Sequence, residues 1–238
     1  MDSVQLKRKI QRRLTKLRLQ PIRVFCFHQV SDVFEPDTMW ECDWTQTEAF
    51  KKKILELKKK YTFIPLSEAY KHIANDRFRF KHFAALTADD GWASVKNIIP
   101  WLADQQIPVT LFLNPLYMDG KHYQSRQTEK LLTQEEVVFL VNEYKPYITI
   151  ASHGWTHGRC MEMTEAEFVE NVQKAEDVLK ELPGKTPFYA FTYGHFLLPQ
   201  FKYLHKQFLV PVLVAGEKNY HATWIYRECI DGEVAPNN

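Results

Sequence analysis

From Pro21 onward the chain alternates between two hydrophobic periods. Runs in which most residues are apolar ("IRVFCFHQV", "HFAALTADD", "PVTLFLN", "YITIAS", "TPFYAFTYG", "VPVLVAG" and "TWIYREC") read as short buried strands. Between them lie segments with helical spacing. "TEAFKKKILELKKKY" places Phe50, Ile54, Leu57 and Tyr61 on one face, with Lys51 to Lys53 and Lys58 to Lys60 forming a solvated one. A short strand is expected near Phe63, followed by a small helix opening at Ser67. "ASVKNIIPWLADQ" reads as a helix bent or interrupted at Pro100. Thr133 with Glu136, and Thr164 with Glu167, carry the spacing of a capping box, and the second of these helices should stop at "LPG" near Leu182.

Strands that alternate with helices predict a parallel α/β fold. The number of segments and the chain length favour a distorted or incomplete (β/α) barrel with a mostly parallel sheet over a small open sheet. In either architecture the functional groups gather at the C-terminal ends of the strands.

Charge and composition narrow the partners. The 238 residues carry a net charge of +2, yet residues 1–20 hold seven Lys or Arg against one Asp, so the body from residue 21 to 238 is net acidic. A basic groove for nucleic acid is not expected in such a body. In the tail, Leu6, Ile10, Leu14 and Leu17 form one helical stripe with cations around it. This basic amphipathic helix either docks on the body or is simply solvated, or else it makes peripheral contact with an anionic membrane face or a partner. The body is expected to be one catalytic domain. No apolar run is long enough to span a bilayer, and the N-terminus lacks the apolar core of a secretory signal, so a cytoplasmic location is expected. Cys26, Cys42, Cys160 and Cys229 lie far apart without a CxxC pair, which favours reduced thiols over a zinc ribbon or a disulfide framework.

Two polar clusters interrupt this pattern at strand ends. "LTADDG" sets Asp89 and Asp90 side by side, and "SHGWTH" sets His153 and His157 four residues apart. Asp-Gly alone suits a turn, and a lone pair of histidines is commonly structural. Together they supply an Asp-His-His set with an open position, the arrangement of a hydrolytic metal site. One aspartate of such a pair binds the cation, while the other remains a base facing water.

These motifs resemble those of the NodB-like polysaccharide deacetylases, carbohydrate esterase family four. "TADDG" is similar to their TFDDG, and "SHGWTH" to their H-(S/T)-x-x-H. "FCFHQVSD" resembles the YHxV strand that opens many members, and "YAFTYG" their FAYPYG form, with order and spacing agreeing over residues 21–215. The resemblance implies that Asp89 is the catalytic base and that Asp90, His153 and His157 hold a divalent metal, usually Zn2+. It also implies that the main-chain N–H at Tyr193 stabilises the oxyanion.

Departures from the pattern are equally definite. Ala88 replaces an aromatic, Thr192 replaces a proline, and Ala190 lies near the position of the arginine that steadies the base in many members. No LxH motif occurs late in the chain, where the family keeps its general-acid histidine. His221 in "NYHATW" is the late candidate, with Arg227 or water as alternatives. Without that acid, ester cleavage should be favoured relative to amide cleavage. His28 either lines the cleft or is a satisfied rim histidine, and Cys160 is expected to be a buried thiol. Trp92 and Trp155 either stack on sugar or pack at the strand ends. The function expected from the resemblance is metal-dependent removal of an acetyl group from an N- or O-acetylated saccharide. The alternatives are a silent saccharide-binding or scaffold protein, and a hydrolase of a non-sugar amide. Oligomeric state is left open.

Overall fold

The computed structural model describes residues 20–34, 43–75, 81–118, 131–220 and 223–232. Almost all of the basic tail, residues 1–19, lies outside them, as does His221. Ten strands are described: β1 (Arg23–Phe27), β2 (Gln29–Ser31), β3 (Trp44–Gln46), β4 (Thr62–Phe63), β5 (Phe83–Ala88), β6 (Val109–Leu113), β7 (Ile148–Ser152), β8 (Lys185–Ala190), β9 (Val210–Val214) and β10 (Ile225–Cys229). They alternate with α1 (Thr47–Lys58), α2 (Leu66–Asn75), α3 (Ile99–Asp104), α4 (Gln134–Glu143), α5 (Glu165–Leu179) and α6 (Leu198–Lys206).

The main sheet runs β1-β10-β9-β8-β7-β6-β5, and β1 also pairs with β5, so seven parallel strands close on themselves. The barrel is therefore complete, with β4 added at the start of β5. Alternation along each strand explains the two-sided burial. Val24, Ala85, Phe112, Ala151, Ala190, Val212 and Ile225 form one interior cluster. Their neighbours Phe25, Leu86, Leu111 and Ile150 face outward into a second core that includes Phe50 and Ile54 of α1, Leu102 of α3 and Leu140 of α4. Tyr189, Phe191 and Leu213 do the same against Phe168 and Val172 of α5 and Leu204 of α6. Helix α2 adds Leu66, Ala69 and Ile73 to the interior cluster, beside Ile22, Val210 and Ile225 at the starts of their strands. It plugs the N-terminal end and leaves the opposite mouth for chemistry.

Local signals account for the elements. Both capping boxes form: Thr133 Oγ1 accepts from Glu136 N at 3.2 Å and Thr164 Oγ1 from Glu167 N at 3.3 Å, with each glutamate carboxylate returning to its threonine N–H. The segment around Pro100 is interrupted rather than bent, with the break at Ile98, just ahead of the proline. It is a 3-10 turn, Ala93–Asn97, followed by α3, and Pro100 occupies the first helical turn, where its missing N–H leaves no bond unmade. The opening strand also breaks in two at His28. Among the described residues, no helix is long and apolar enough to cross a membrane.

Candidate metal centre and catalytic site

β5 ends at Ala88, and the next three residues turn sharply. Gly91 N–H donates to Asp89 O at 2.8 Å across Asp90, whose φ is +66°. This tight left-handed turn, strained for a residue with a Cβ, aims two successive carboxylates in different directions. Gly91 follows with φ +77°, and a Cβ there would lie 2.8 Å from Leu113 Cδ2, so the position requires glycine. The Asp-Asp-Gly stretch is thus both a turn and a site.

Asp90 points to the histidines. Its Oδ1 lies 3.3 Å from His153 Nε2 and 3.1 Å from His157 Nε2, while Oδ2 accepts from Trp92 Nε1 at 3.0 Å. The three side chains are buried, and the donor atoms converge closely enough to hold one metal ion. Asp90 Oδ1 is buried without a hydrogen bond. A buried carboxylate oxygen left in that state is costly unless a cation meets it. The loop bearing the histidines is held from three sides. His153 N–H donates to Leu113 O at 2.9 Å, Asn114 Nδ2 donates to His153 O at 2.7 Å, and Asn171 Oδ1 accepts from Thr156 N at 2.9 Å. Gly154, at φ +84°, would place a Cβ 2.6 Å from Asn171 Nδ2. His153 Nδ1 lies 2.8 Å from Ala190 O, which can only accept, so Nδ1 carries a proton and Nε2 is the nitrogen turned toward Asp90. The residues present fit a divalent cation bound by two imidazole nitrogens and one carboxylate oxygen.

Asp89 points the other way, into the barrel. Arg227 of β10 holds it through two parallel bonds, Nη1 to Oδ1 at 2.5 Å and Nη2 to Oδ2 at 2.7 Å. Arg227 is itself fully buried, donates to Thr87 Oγ1 at 3.1 Å, and lies with its guanidinium 5.0 Å from the Phe112 ring centroid. Burial pushes the Asp89 carboxyl up, but Arg227 and the nearby His153 outweigh it and hold its pKa below the ordinary carboxylate value. Burial likewise acts on Asp90, and His157 and His153 hold it well below that value. Both aspartates are anions at neutral pH. Ala190 offers no guanidinium to Asp89, and Arg227 supplies one from another strand. Tied in this way, Arg227 is a positioning group for Asp89 rather than an acid.

His28 enters the site from β1. The β1–β5 ladder pairs Phe27 with Ala88, and Asp89 N–H donates to Phe27 O at 3.0 Å, so His28 and Asp89 emerge side by side. His28 Nδ1 lies 2.6 Å from Asp231 Oδ2, and its main-chain N–H donates to Asp231 Oδ1 at 3.0 Å. Burial lowers the His28 pKa. Asp231, Cys229 and the charge of Asp90 raise it by more, and the net value lies well above the ordinary one. An imidazolium therefore stands beside the two carboxylates. The YHxV-like stretch had marked His28 in the sequence, but its partner Asp231 is 203 residues away and no local pattern announces it.

The remaining positions sort as follows. Tyr193 has left-handed φ +57°, its ring centroid is 4.8 Å from that of His157, and Arg159 Cζ lies 4.8 Å from its ring centroid. It is nearly half exposed at the rim of a cleft shared with Met161 and His195. Cys160 is a buried thiol whose Sγ lies 3.3 Å from Thr192 Oγ1. Thr192, in place of the family's proline, donates to Gly158 O at 2.6 Å and so ties its turn to the histidine loop. Trp92 is buried and spends its N–H on Asp90, which answers the packing alternative for that ring. Trp155 keeps part of its surface open in a second cleft with Leu116 and Gln134.

Comparison with known proteins decides the family. The sequence profile described as polysaccharide deacetylase matches residues 79–203, more than half of the chain and both polar clusters. The chain belongs to the polysaccharide deacetylase family. No curated protein matches the sequence. Solved structures of this fold include the Streptococcus pyogenes deacetylase PplD in complex with acetate, at TM-score 0.75, 16% identity, 91% coverage of this chain and 95% of that one. IcaB from Ammonifex degensii aligns at TM-score 0.73 with 18% identity, covering 92% and 94%. A de-N-acetylase from Aggregatibacter actinomycetemcomitans aligns at 0.71 with 15% identity, covering 91% and 97%. At these identities the likeness shows that this polysaccharide deacetylase shares their barrel.

Proposed function

We propose that this polysaccharide deacetylase is a divalent-metal-dependent hydrolase that removes the acetyl group from an N-acetylated saccharide. The observation that carries this reading is Asp90 Oδ1, buried, without a hydrogen bond, and faced by two histidine Nε2 atoms. Asp90, His153 and His157 would hold the cation, with Zn2+ the metal such N and O donors suit. Bound there, it supplies Lewis acidity that eases ionisation of water and draws charge from the acetyl carbonyl.

The chain's own residues perform the proton transfers. Asp89, ionised and fixed in orientation by Arg227, accepts the proton of the attacking water. The Tyr193 main-chain N–H, presented by its left-handed turn, stabilises the oxyanion that develops on the substrate. His28, charged and backed by Asp231, gives its proton to the leaving nitrogen. An amide demands this step because an amine anion is a poor leaving group. His28 thereby replaces His221 in the acid role and removes the ground for expecting a preference for esters. An intact donor set with both a base and an acid beside it also disfavours the silent-scaffold alternative.

The test is acetate release from N-acetylglucosamine oligosaccharides and from an O-acetylated sugar, for the native chain and His28→Gln. The variant should lose ~10²–10⁴-fold on the amide and far less on the ester. Equal losses on both substrates, or none, would remove His28 from the acid role.

A further inference from the structure

The acid of the proposed mechanism belongs to a second cluster of donors. Nδ1 of His28, Sγ of Cys229 and a carboxylate oxygen of Asp231 all lie within 4.8 Å of one another, and they are separate from the donors of Asp90, His153 and His157. Cys229 Sγ approaches Asp231 Oδ2 at 2.9 Å, and the same oxygen meets His28 Nδ1 at 2.6 Å. The three groups thus already converge on one point. The Asp231 side chain is fully covered, whereas Cys229 is exposed, so the cluster opens to solvent on its sulfur side.

We propose that this cluster is a second, inhibitory site for a thiophilic divalent cation such as Zn2+ or Cd2+. Imidazole nitrogen, thiolate sulfur and carboxylate oxygen are each ordinary ligands of such ions, and three protein ligands leave an open position for water. The Asp90 centre offers nitrogen and oxygen alone, so the presence of sulfur distinguishes the two. Binding displaces one proton from the Cys229 thiol and one from the His28 imidazolium, and both pass to solvent. With its Nδ1 on the cation, His28 keeps only the Nε2–H of a neutral imidazole, a far weaker acid than the imidazolium, to offer the leaving nitrogen. A first equivalent of metal would support the reaction and an excess would suppress it. The inhibition rests on the acid role proposed for His28, whereas the binding does not.

The full-length chain, stripped with chelator, is titrated with Cd2+ while the ultraviolet thiolate-to-cadmium charge-transfer band is recorded. The native chain should take up two equivalents, one of them giving the band. Cys229→Ser should lose the band and bind the second equivalent at least ~10-fold more weakly, the smaller of the losses seen when even an outer partner of a metal site is removed. His153→Ala should keep the band while losing the other equivalent. A band that persists in Cys229→Ser, or uptake of only one equivalent by the native chain, overturns the site. In parallel, acetate release is measured against added Cd2+ and scaled to each protein's rate with one equivalent. Native activity should fall as the band grows, and Cys229→Ser should need at least ~10-fold more Cd2+ for the same fall. A band without inhibition would overturn the inhibitory role and count against His28 as the acid, while leaving the binding site in place.

Discussion

Replacing Arg227 with methionine removes the partner of a carboxylate that is buried inside the barrel. Asp89 loses two hydrogen bonds, of 2.5 and 2.7 Å, while its side chain stays buried. Breaking a buried pair from one side costs ~3–5 kcal/mol, because the remaining charge stays uncompensated. A second route gives a similar figure. Asp89 can escape by taking up a proton, and moving a carboxyl from ~3.9 to above neutral pH spans about three units at ~1.4 kcal/mol each, or ~4 kcal/mol. The two routes predict a characteristic pH dependence. In the native chain the Asp89 pKa is depressed, so its contribution is present above the unfolded value and is lost as pH falls through the folded one. In the variant the folded pKa is raised, so stability falls as pH rises toward neutrality. The deficit should therefore be small near pH ~4 and grow to ~4 kcal/mol at neutral pH. Urea unfolding in the presence of chelator measures this without a metal contribution. Arg227→Met/Asp89→Leu, which removes both charges, should recover most of the loss. A deficit below about 1 kcal/mol, or one that does not change with pH, would show that Asp89 does not depend on Arg227.

Three further outcomes follow from the site. Asp90→Ala should lose metal and activity together, whereas Asp89→Asn should keep metal and lose at least ~10²-fold in turnover; equal metal loss in both would make Asp89 a ligand. Amide cleavage should be lost only as pH rises through the raised pKa of His28, placing the descending limb of its pH–rate profile above ~6.5, and Asp231→Asn should move that limb down. An unmoved limb would dissociate the pair. Trp92→Phe, which removes the donor to Asp90 Oδ2, should weaken metal binding by ~10–100-fold in a competition titration, and unchanged affinity would reduce Trp92 to packing.

Much of the barrel was legible because its strands are buried on both faces and its helices open with side-chain caps. The alternation of periods marked each strand that now carries a site residue, and Thr133 and Thr164 announced their helices directly. Closure of the barrel was not legible, since it depends on β1 pairing with both β5 and β10 at long sequence separation. The proposed metal ligands could be read because Asp90 lies in one short motif and His153 and His157 lie in another. The groups that position and complete the chemistry could not be. Arg227 reaches Asp89 across 138 residues, and Asp231 reaches His28 across 203. The family's motif order places an arginine partner for the first aspartate near Ala190 and an acid late in the chain. The fold brings an arginine to Asp89 from β10, and the mechanism proposed above takes its acid from the end of β1. Both placements rest on physical contact rather than sequence order.

The most direct measurement is acetate release from an N-acetylglucosamine oligosaccharide by one preparation in three states: as purified, stripped with chelator, and reconstituted with one equivalent of Zn2+. Release should disappear on stripping and return on reconstitution for the native chain, and it should not return for His153→Ala. Undiminished release by the metal-free protein, or none from the reconstituted one, would contradict the account.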